Sequence, residues 1–465
     1  MTPMTLAAVA DVTGGRLHGA TPEQAADILI DADVVTDSRE ARPGSLYVAR
    51  IGEQADGHDF VPGAARAGAV AALTTREVEG LPCVVVPDEQ AGFVAIARHV
   101  IDSSPQLTVI GITGSSGKTS TKDLLGAVLA TAGETVSPIG SYNSEVGVPL
   151  TVCRVTPQTR HLVVEMGARG IGHIEYLTRI APPDIGIVLN VGHAHVGEFG
   201  SLEAVARAKG ELPASLPAAG VAVLNADDHR VAAMSEVTDA KVLLVGEGEG
   251  ATVRATEVVI DDGGRPRFTL QAPFGSARVE LGLVGRHHVG NALAVFAAAH
   301  AAGMAPEEIV AGLAAAGPVS RWRMEVTTRP DGVVVVNDAY NANPDSASAA
   351  LRSVAGMSAR GRRWAVLGGM LELGGDSDAL HEQVGREAGE LGMDEVLVVG
   401  DVAAPVAPGA RAGGAGRVRT VPDAAAAEAL LVEELAPGDV VLFKSSRDSG
   451  LRWLGDRIVE RGSAS

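Results

Sequence analysis

Lys118 and Thr119 close a glycine-rich loop, Gly114-Ser115-Ser116-Gly117, that follows the apolar run 108–113 and opens an uninterrupted helical stretch. A loop in that setting can turn its backbone N–H groups onto a phosphate. The lysine supplies a cation for the β- and γ-phosphates, and the threonine hydroxyl can ligate Mg²⁺ at a helix N-terminus. The chain is expected to spend ATP. The spacing misses the strict G-x-x-x-x-G-K-[ST] pattern by one residue, because Ile112 stands five before Gly117 and the upstream glycine is Gly111. A Gly/Ser-rich surface turn is the bland alternative, but the strand before the loop and the helix after it supply the context that phosphate binding needs.

Other groups fall where they could reach the same chemistry. Glu165 ends the run His161-Leu-Val-Val-Glu165, and a buried carboxylate there needs a cation or hydrogen-bond donors. Mg²⁺ beside the loop would serve; a capping or turn glutamate is the alternative. His193 and His195 lie two apart after the run 185–191, where a single histidine is more often a structural hydrogen-bonder. Lys209 sits in the Ala-rich stretch 202–212 and reads most economically as a solvated helix lysine. Asn190, Asn225 and Asp227 also end apolar runs, the place where ligand groups gather in open α/β sheets. Cys83 and Cys153 have no metal-ligand spacing and read as reduced core residues.

These residues need elements to hold them, and the pattern is α/β. Short strand-like runs alternate with Ala-rich helical stretches, and 465 residues exceed one ordinary core. Three domains fit. Residues 1–105 read as a small α/β unit with strands at 45–49 and 83–87. Residues 106–316 hold the glycine-rich loop and runs at 161–166, 185–191, 221–225 and 242–245, then a β-like stretch at 253–283. Residues 317–465 carry four runs, at 333–337, 364–367, 396–400 and 440–444, expected to form a parallel, Rossmann-like sheet. The formal net charge of −19 offers no basic face for nucleic acid or an anionic membrane. No apolar run reaches the roughly 18 residues that a spanning helix requires, so no membrane insertion is expected. A cytoplasmic monomer is the expectation.

Taken together the motifs resemble the Mur ligases, ATP-dependent amide-bond-forming enzymes of peptidoglycan precursor synthesis. The resemblance is carried by Thr113-Gly-Ser-Ser-Gly-Lys-Thr119, Glu165, His195 with Phe199-Gly-Ser201, Ala208-Lys-Gly-Glu211, Asn225-Ala-Asp227, Gly285-Arg-His-His-Val-Gly-Asn291, Arg321-Trp-Arg-Met324 and Asn337-Asp-Ala-Tyr-Asn-Ala-Asn-Pro344. Val35-Thr-Asp-Ser-Arg39, Gly57-His-Asp-Phe60, Gly368-Gly-Met-Leu-Glu-Leu-Gly374 and Phe443-Lys-Ser-Ser-Arg447 look like the member that adds D-alanyl-D-alanine to a UDP-N-acetylmuramoyl tripeptide. The Asp-Asn-Pro-Arg signature of the diaminopimelate- and lysine-adding relatives is absent.

The resemblance implies a set of roles. The loop from Thr113 to Ser120 would bind ATP. Lys118 would stabilise the transferring phosphoryl group, Thr119 and Glu165 would hold one Mg²⁺, and His195 would hold a second. Lys209 would be carbamylated into an oxygen ligand. Asn291 would read the adenine, and Arg323 with Asp338 would come to the nucleotide from the C-terminal domain. Substrate contacts would come from Ser38, Arg39 and Asn143, and from Asn341, Asn343, Lys444, Ser446 and Arg447. The chain departs from the family's usual Gly-Arg at Trp322-Arg323, from a common Asn at His288, and from Lys-Gly-Ser-Arg at Ser445. A related amide ligase with another amine or acceptor, such as a folylpolyglutamate-synthetase-like enzyme, and a non-catalytic P-loop protein remain the alternatives.

Overall fold

Each apolar run singled out above forms a strand, and the glycine-rich loop lies between the strand Thr108–Thr113 and the helix Lys118–Leu129. The runs are rich in Val and Ile, whose branched side chains suit a pleated, buried surface. The computed structural model describes residues 1–52, 55–194 and 196–462 of an α/β protein with mostly parallel sheets. His195, one of the expected metal ligands, lies outside the described residues. Among the described residues no helix is long and apolar enough to cross a membrane.

Two units emerge from the chain's contacts. Met1–Gly111, Ala132–Gly167 and Ile174–Ile185 form one; Ile112–Thr131, Ala168–His173 and the chain from Gly186 onward form the other. The division falls inside the strands Thr108–Thr113 and Ile185–Val188.

In the first unit a five-stranded sheet runs in the order Arg16–His18, Cys83–Val85, Ala71–Thr74, Leu46–Val48, Val34–Val35. Only its first pairing is antiparallel. Tyr47, Val61, Ala72 and Cys83 pack on one side of it, and the Tyr47 hydroxyl donates to the Gly57 carbonyl at 2.8 Å. His161–Glu165 pairs in parallel with Thr135–Val136.

In the second unit Val221–Asn225 and Lys241–Gly246 pair in parallel, and the β-like stretch resolves into an antiparallel extension, Val253–Ile260, Pro266–Ala272 and Gly275–Glu280. The C-terminal sheet has six strands, two more than the sequence suggests. Glu325–Thr328 adds an antiparallel edge to Val334–Asn337, and Arg417–Val421 adds a parallel strand beside Glu395–Val399. The second of these hides in the sequence because Arg417 and Arg419 interrupt its apolar residues. Both guanidinium groups reach the buried Glu395, at 3.7 and 3.0 Å. Both faces of this sheet are covered: Val336, Leu367, Val398 and Leu442 pack on one side, and Val335, Val366, Val399 and Phe443 on the other. That double burial explains why its central strands read as continuous apolar runs.

Candidate functional site

The glycine-rich loop turns at Gly117, whose φ of +81° is unfavourable for a side chain. A β-carbon there would stand 3.1 Å from Asn291 Oδ1, so this residue also allows the close approach of the helix His288–Ala301. Lys118 folds back over the loop and donates from Nζ to the Gly114 carbonyl at 2.6 Å. Two loop amides are already engaged: Ser115 N donates to the Asn190 carbonyl at 3.1 Å, and Ser116 N to Asn190 Oδ1 at 2.9 Å. The Ser115 hydroxyl bridges both backbone groups of Gly192, and the buried Thr113 hydroxyl has no hydrogen-bond partner among the described residues. Ser120 lies on the first turn of the following helix.

Beside the loop is a cavity of about 460 Å³. Asn190, Asn225, Asn291, Arg286 and His287 line one side and Ala349, Arg352 and Ser353 the other, so both the central and the C-terminal segments build it. Polar edges set among Leu189, Val245 and Ile260 suit a flat heterocycle on a ribose. Burial holds the His287 imidazole down at about 4, and burial followed by the neighbouring His287 holds His288 well below the usual histidine range, so both rings are neutral near pH 7. Arg286 pairs with Glu247 at 2.6 Å on the rim.

The C-terminal segment reaches the glycine-rich loop at two points and the loop after Ile185–Val188 at a third. Arg323 Nη2 donates to Thr119 Oγ1 at 3.3 Å, with its guanidinium over the Tyr340 ring at 4.2 Å; Arg321 turns away and pairs with Asp456 at 2.9 Å. Asn343 caps the helix Pro344–Ala355 by accepting from Ser346 N, and its amide reaches the Ser115 carbonyl at 3.5 Å. Asp345, in the first turn of that helix, accepts from His193 N at 2.7 Å. Asp345 escapes notice in the sequence because an acid at a helix start is adequately explained by the helix dipole.

Asp338 and Lys444 form a buried ion pair at 2.6 Å, and Asp338 also accepts from Met324 N. Lys444 donates further to the Asn341 carbonyl. The Ser446 hydroxyl accepts from Leu371 N and donates to the Ala342 carbonyl, which ties the loop after 440–444 to those after 334–337 and 363–368. Asn341 and Arg447 are exposed.

Lys209 is not a solvated lysine. It shares the buried face of Leu202–Ala214 with Val205, Ala208 and Leu212 and is 5% exposed. Burial, followed by the charge of Lys118, pushes its amine well below the usual lysine range. In the first unit Glu165 is 3% exposed, and its Oε1 accepts from Ser141 Oγ at 2.8 Å and Asn143 Nδ2 at 2.9 Å. Asn143 therefore orients this carboxylate. Arg39 forks onto Asp37 within the short turn that contains Ser38, and that contact lowers the Asp37 carboxyl to about 2.

A glycine-rich loop between a strand and a helix, a polar-lined cavity beside it and a second α/β segment that brings an arginine to the loop have the form of a nucleotide-dependent enzyme. Residues 33–99 match the family model described as Mur ligase family, catalytic domain, residues 112–299 the Mur ligase middle domain, and residues 322–447 the Mur ligase, glutamate ligase domain. The chain is 46% identical to the UDP-N-acetylmuramoyl-tripeptide--D-alanyl-D-alanine ligase of Mycobacterium tuberculosis, covering 99% of this chain and 98% of that one. It is 38% identical to the enzyme of the same name from Escherichia coli, over 86% of each. MurF from Acinetobacter baumannii superposes with a TM-score of 0.88 at 31% identity over 99% of both chains. MurF ligase from Thermotoga maritima, in complex with ADP, superposes with a TM-score of 0.80 at 28% identity over 94% of this chain and 99% of that one. The chain belongs to the Mur ligase family.

Proposed function

We propose that this chain joins D-alanyl-D-alanine to the C-terminal carboxylate of a UDP-N-acetylmuramoyl tripeptide at the expense of ATP, in cytoplasmic peptidoglycan precursor synthesis. The single observation that carries the reading is the end-to-end match, at 46% identity, to relatives that bear this activity in their name. ATP phosphorylates the tripeptide carboxylate, the dipeptide amine attacks the acyl phosphate, and ADP and phosphate leave. Activation is required because a free carboxylate is a poor acyl donor.

The chain's own residues support the parts of this reaction. The cavity beside Asn291 takes the nucleoside, Lys118 and the loop amides that Asn190 does not hold face the phosphates, and Arg323 approaches at Thr119. Three segments are proposed, 1–105 for the UDP-sugar, 106–316 for ATP and 317–465 for the dipeptide, and each of the three family models falls inside one of them. Ser38 and Arg39 are proposed for the UDP-sugar end. For the dipeptide, Asn341 and Arg447 are the exposed candidates, while Asn343, Lys444 and Ser446 shape the loops around them.

The proposed donors are of the kind that Mg²⁺ prefers. Thr119 and Glu165 are each proposed to offer a hard oxygen, and Lys209, buried and with its amine pushed well below the usual lysine range, is proposed to take up CO₂ and become an anionic oxygen ligand. His195 is proposed as a further ligand. Mg²⁺, when bound, neutralises phosphate charge and so lets an anionic carboxylate approach. The deciding experiment is phosphate release with UDP-muramoyl peptides and amines varied independently. Tripeptide with D-alanyl-D-alanine should turn over; dipeptide with free diaminopimelate or lysine should not, and efficient turnover of that pair would move the chain to the neighbouring branch.

A further inference from the structure

Two of the four non-glycine residues with positive φ among the described residues flank Arg323: Trp322 at +58° and Met324 at +51°. Neither has glycine's freedom, so both conformations must be imposed by their surroundings. Met324 is buried, and its N–H is held by Asp338. Trp322 is held from every side. Its backbone N–H donates to Glu325 Oε2 at 2.9 Å, and its indole N–H donates to the Asp456 carboxylate at 3.1 Å. Its ring meets Trp453 edge-on at 4.8 Å and stacks toward Tyr340 at 6.4 Å, with the guanidinium groups of Arg321 and Arg452 at 4.9 and 5.2 Å.

Tyr340 is shared: the ring toward which Trp322 stacks also carries the Arg323 guanidinium at 4.2 Å. Its N–H meets the Trp322 carbonyl at 3.4 Å. Arg323 therefore leaves a turn whose backbone and whose aromatic support both depend on its neighbour. We propose that Trp322 is a positioning residue for Arg323, clamping the left-handed turn so that the guanidinium stays at the Thr119 hydroxyl. Asp456 and Trp453 anchor the clamp, and Tyr340 transmits it.

The inference rests on the reading of Thr119 as part of the nucleotide site, and the test separates the two. Binding of a non-hydrolysable ATP analogue with Mg²⁺ is measured by calorimetry for the wild type, Trp322→Gly, Arg323→Ala and the double variant, and urea unfolding of the same four chains is followed without ligand. Trp322→Gly relaxes the backbone strain but removes the clamp, so analogue binding should weaken at least tenfold. Trp322→Phe, which keeps a ring against Tyr340 and Trp453 but loses the indole N–H bond to Asp456, should fall between wild type and the glycine chain. In the Arg323→Ala background the glycine substitution should cost less than twofold more, because its target is gone, and the unfolding free energies should be non-additive in the same sense. Wild-type-like binding by Trp322→Gly, or equal losses with and without Arg323, would overturn the proposal. If the glycine chain does not fold, Trp322→Leu takes its place in the cycle with the same expectations. A wild-type chain that does not bind the analogue would sink the nucleotide reading, and the ligand-free unfolding cycle then decides the clamp by itself.

Discussion

A carboxylate oxygen of Asp345 lies 2.3 Å from where a β-carbon on Gly192 would stand, across 153 residues of sequence. Glycine at this position lets the first turn of the helix Pro344–Ala355 close on the loop after Ile185–Val188. Asp345 then accepts from His193 N, and the Ser115 hydroxyl is held by Gly192 itself. The same helix lines the cavity further along, at Ala349, Arg352 and Ser353. Gly192→Ala should force the Asp345 side chain off His193 and weaken the closure. The charged hydrogen bond lost is worth about 1.5–3 kcal/mol. Urea unfolding and the KM for ATP should both register it, and an unchanged KM would separate the latch from the nucleotide site.

Glu165→Gln keeps an acceptor for Ser141 and Asn143 but removes the negative charge. The fold should survive, with a melting temperature within a few degrees of wild type. Phosphate release should fall at least 100-fold, which corresponds to about 2.7 kcal/mol in the barrier. A loss of less than tenfold would remove the carboxylate from metal binding.

Lys209 makes a pH-dependent prediction. Its amine is depressed in the folded chain and ordinary in the unfolded one, so between the two values the unfolded state binds more protons and stability rises with pH. In CO₂-free buffer the melting temperature of wild type should climb as pH rises toward the ordinary lysine range near 10.4, and Lys209→Met should flatten that slope. Lys209→Ala should be nearly inactive in phosphate release. Acetate at matched ionic strength should restore part of the rate, and a fully active Lys209→Ala would exclude the carbamate.

Glu395 is the buried acceptor for Arg362, Arg417 and Arg419 at the edge of the C-terminal sheet. Glu395→Ala removes one of the two carboxylates that these partly exposed cations share, since Glu434 still faces all three, and a lost hydrogen bond to a charged group costs about 1.5–3 kcal/mol. The midpoint of urea unfolding should drop accordingly. An exposed control, Arg16→Ala, loses only its surface contact to Glu77 and should stay within about 1 kcal/mol.

Much of this protein was legible along the chain because its chemistry is written in contiguous residues. The loop from Gly114 to Thr119 carries its own turn, cation and hydroxyl, and the Val- and Ile-rich runs declare parallel strands without reference to distant sequence. The motif order identified the family for the same reason. What the tertiary structure decided depends on residues far apart. Whether Lys209 is solvated or buried is settled by what packs on its helix face, and a lysine in an Ala-rich stretch looks the same in either case. Arg321 and Arg323 differ by two positions, and only the partners Asp456 and Thr119, more than a hundred residues away in either direction, distinguish them. The strand Arg417–Val421 gave no apolar signal because it is an edge strand with no buried residue, held beside Glu395–Val399 while its guanidinium groups pair with Glu395 and Glu434. Local pattern fixes which elements form; long-range complementarity of charge and shape fixes which side chain meets which.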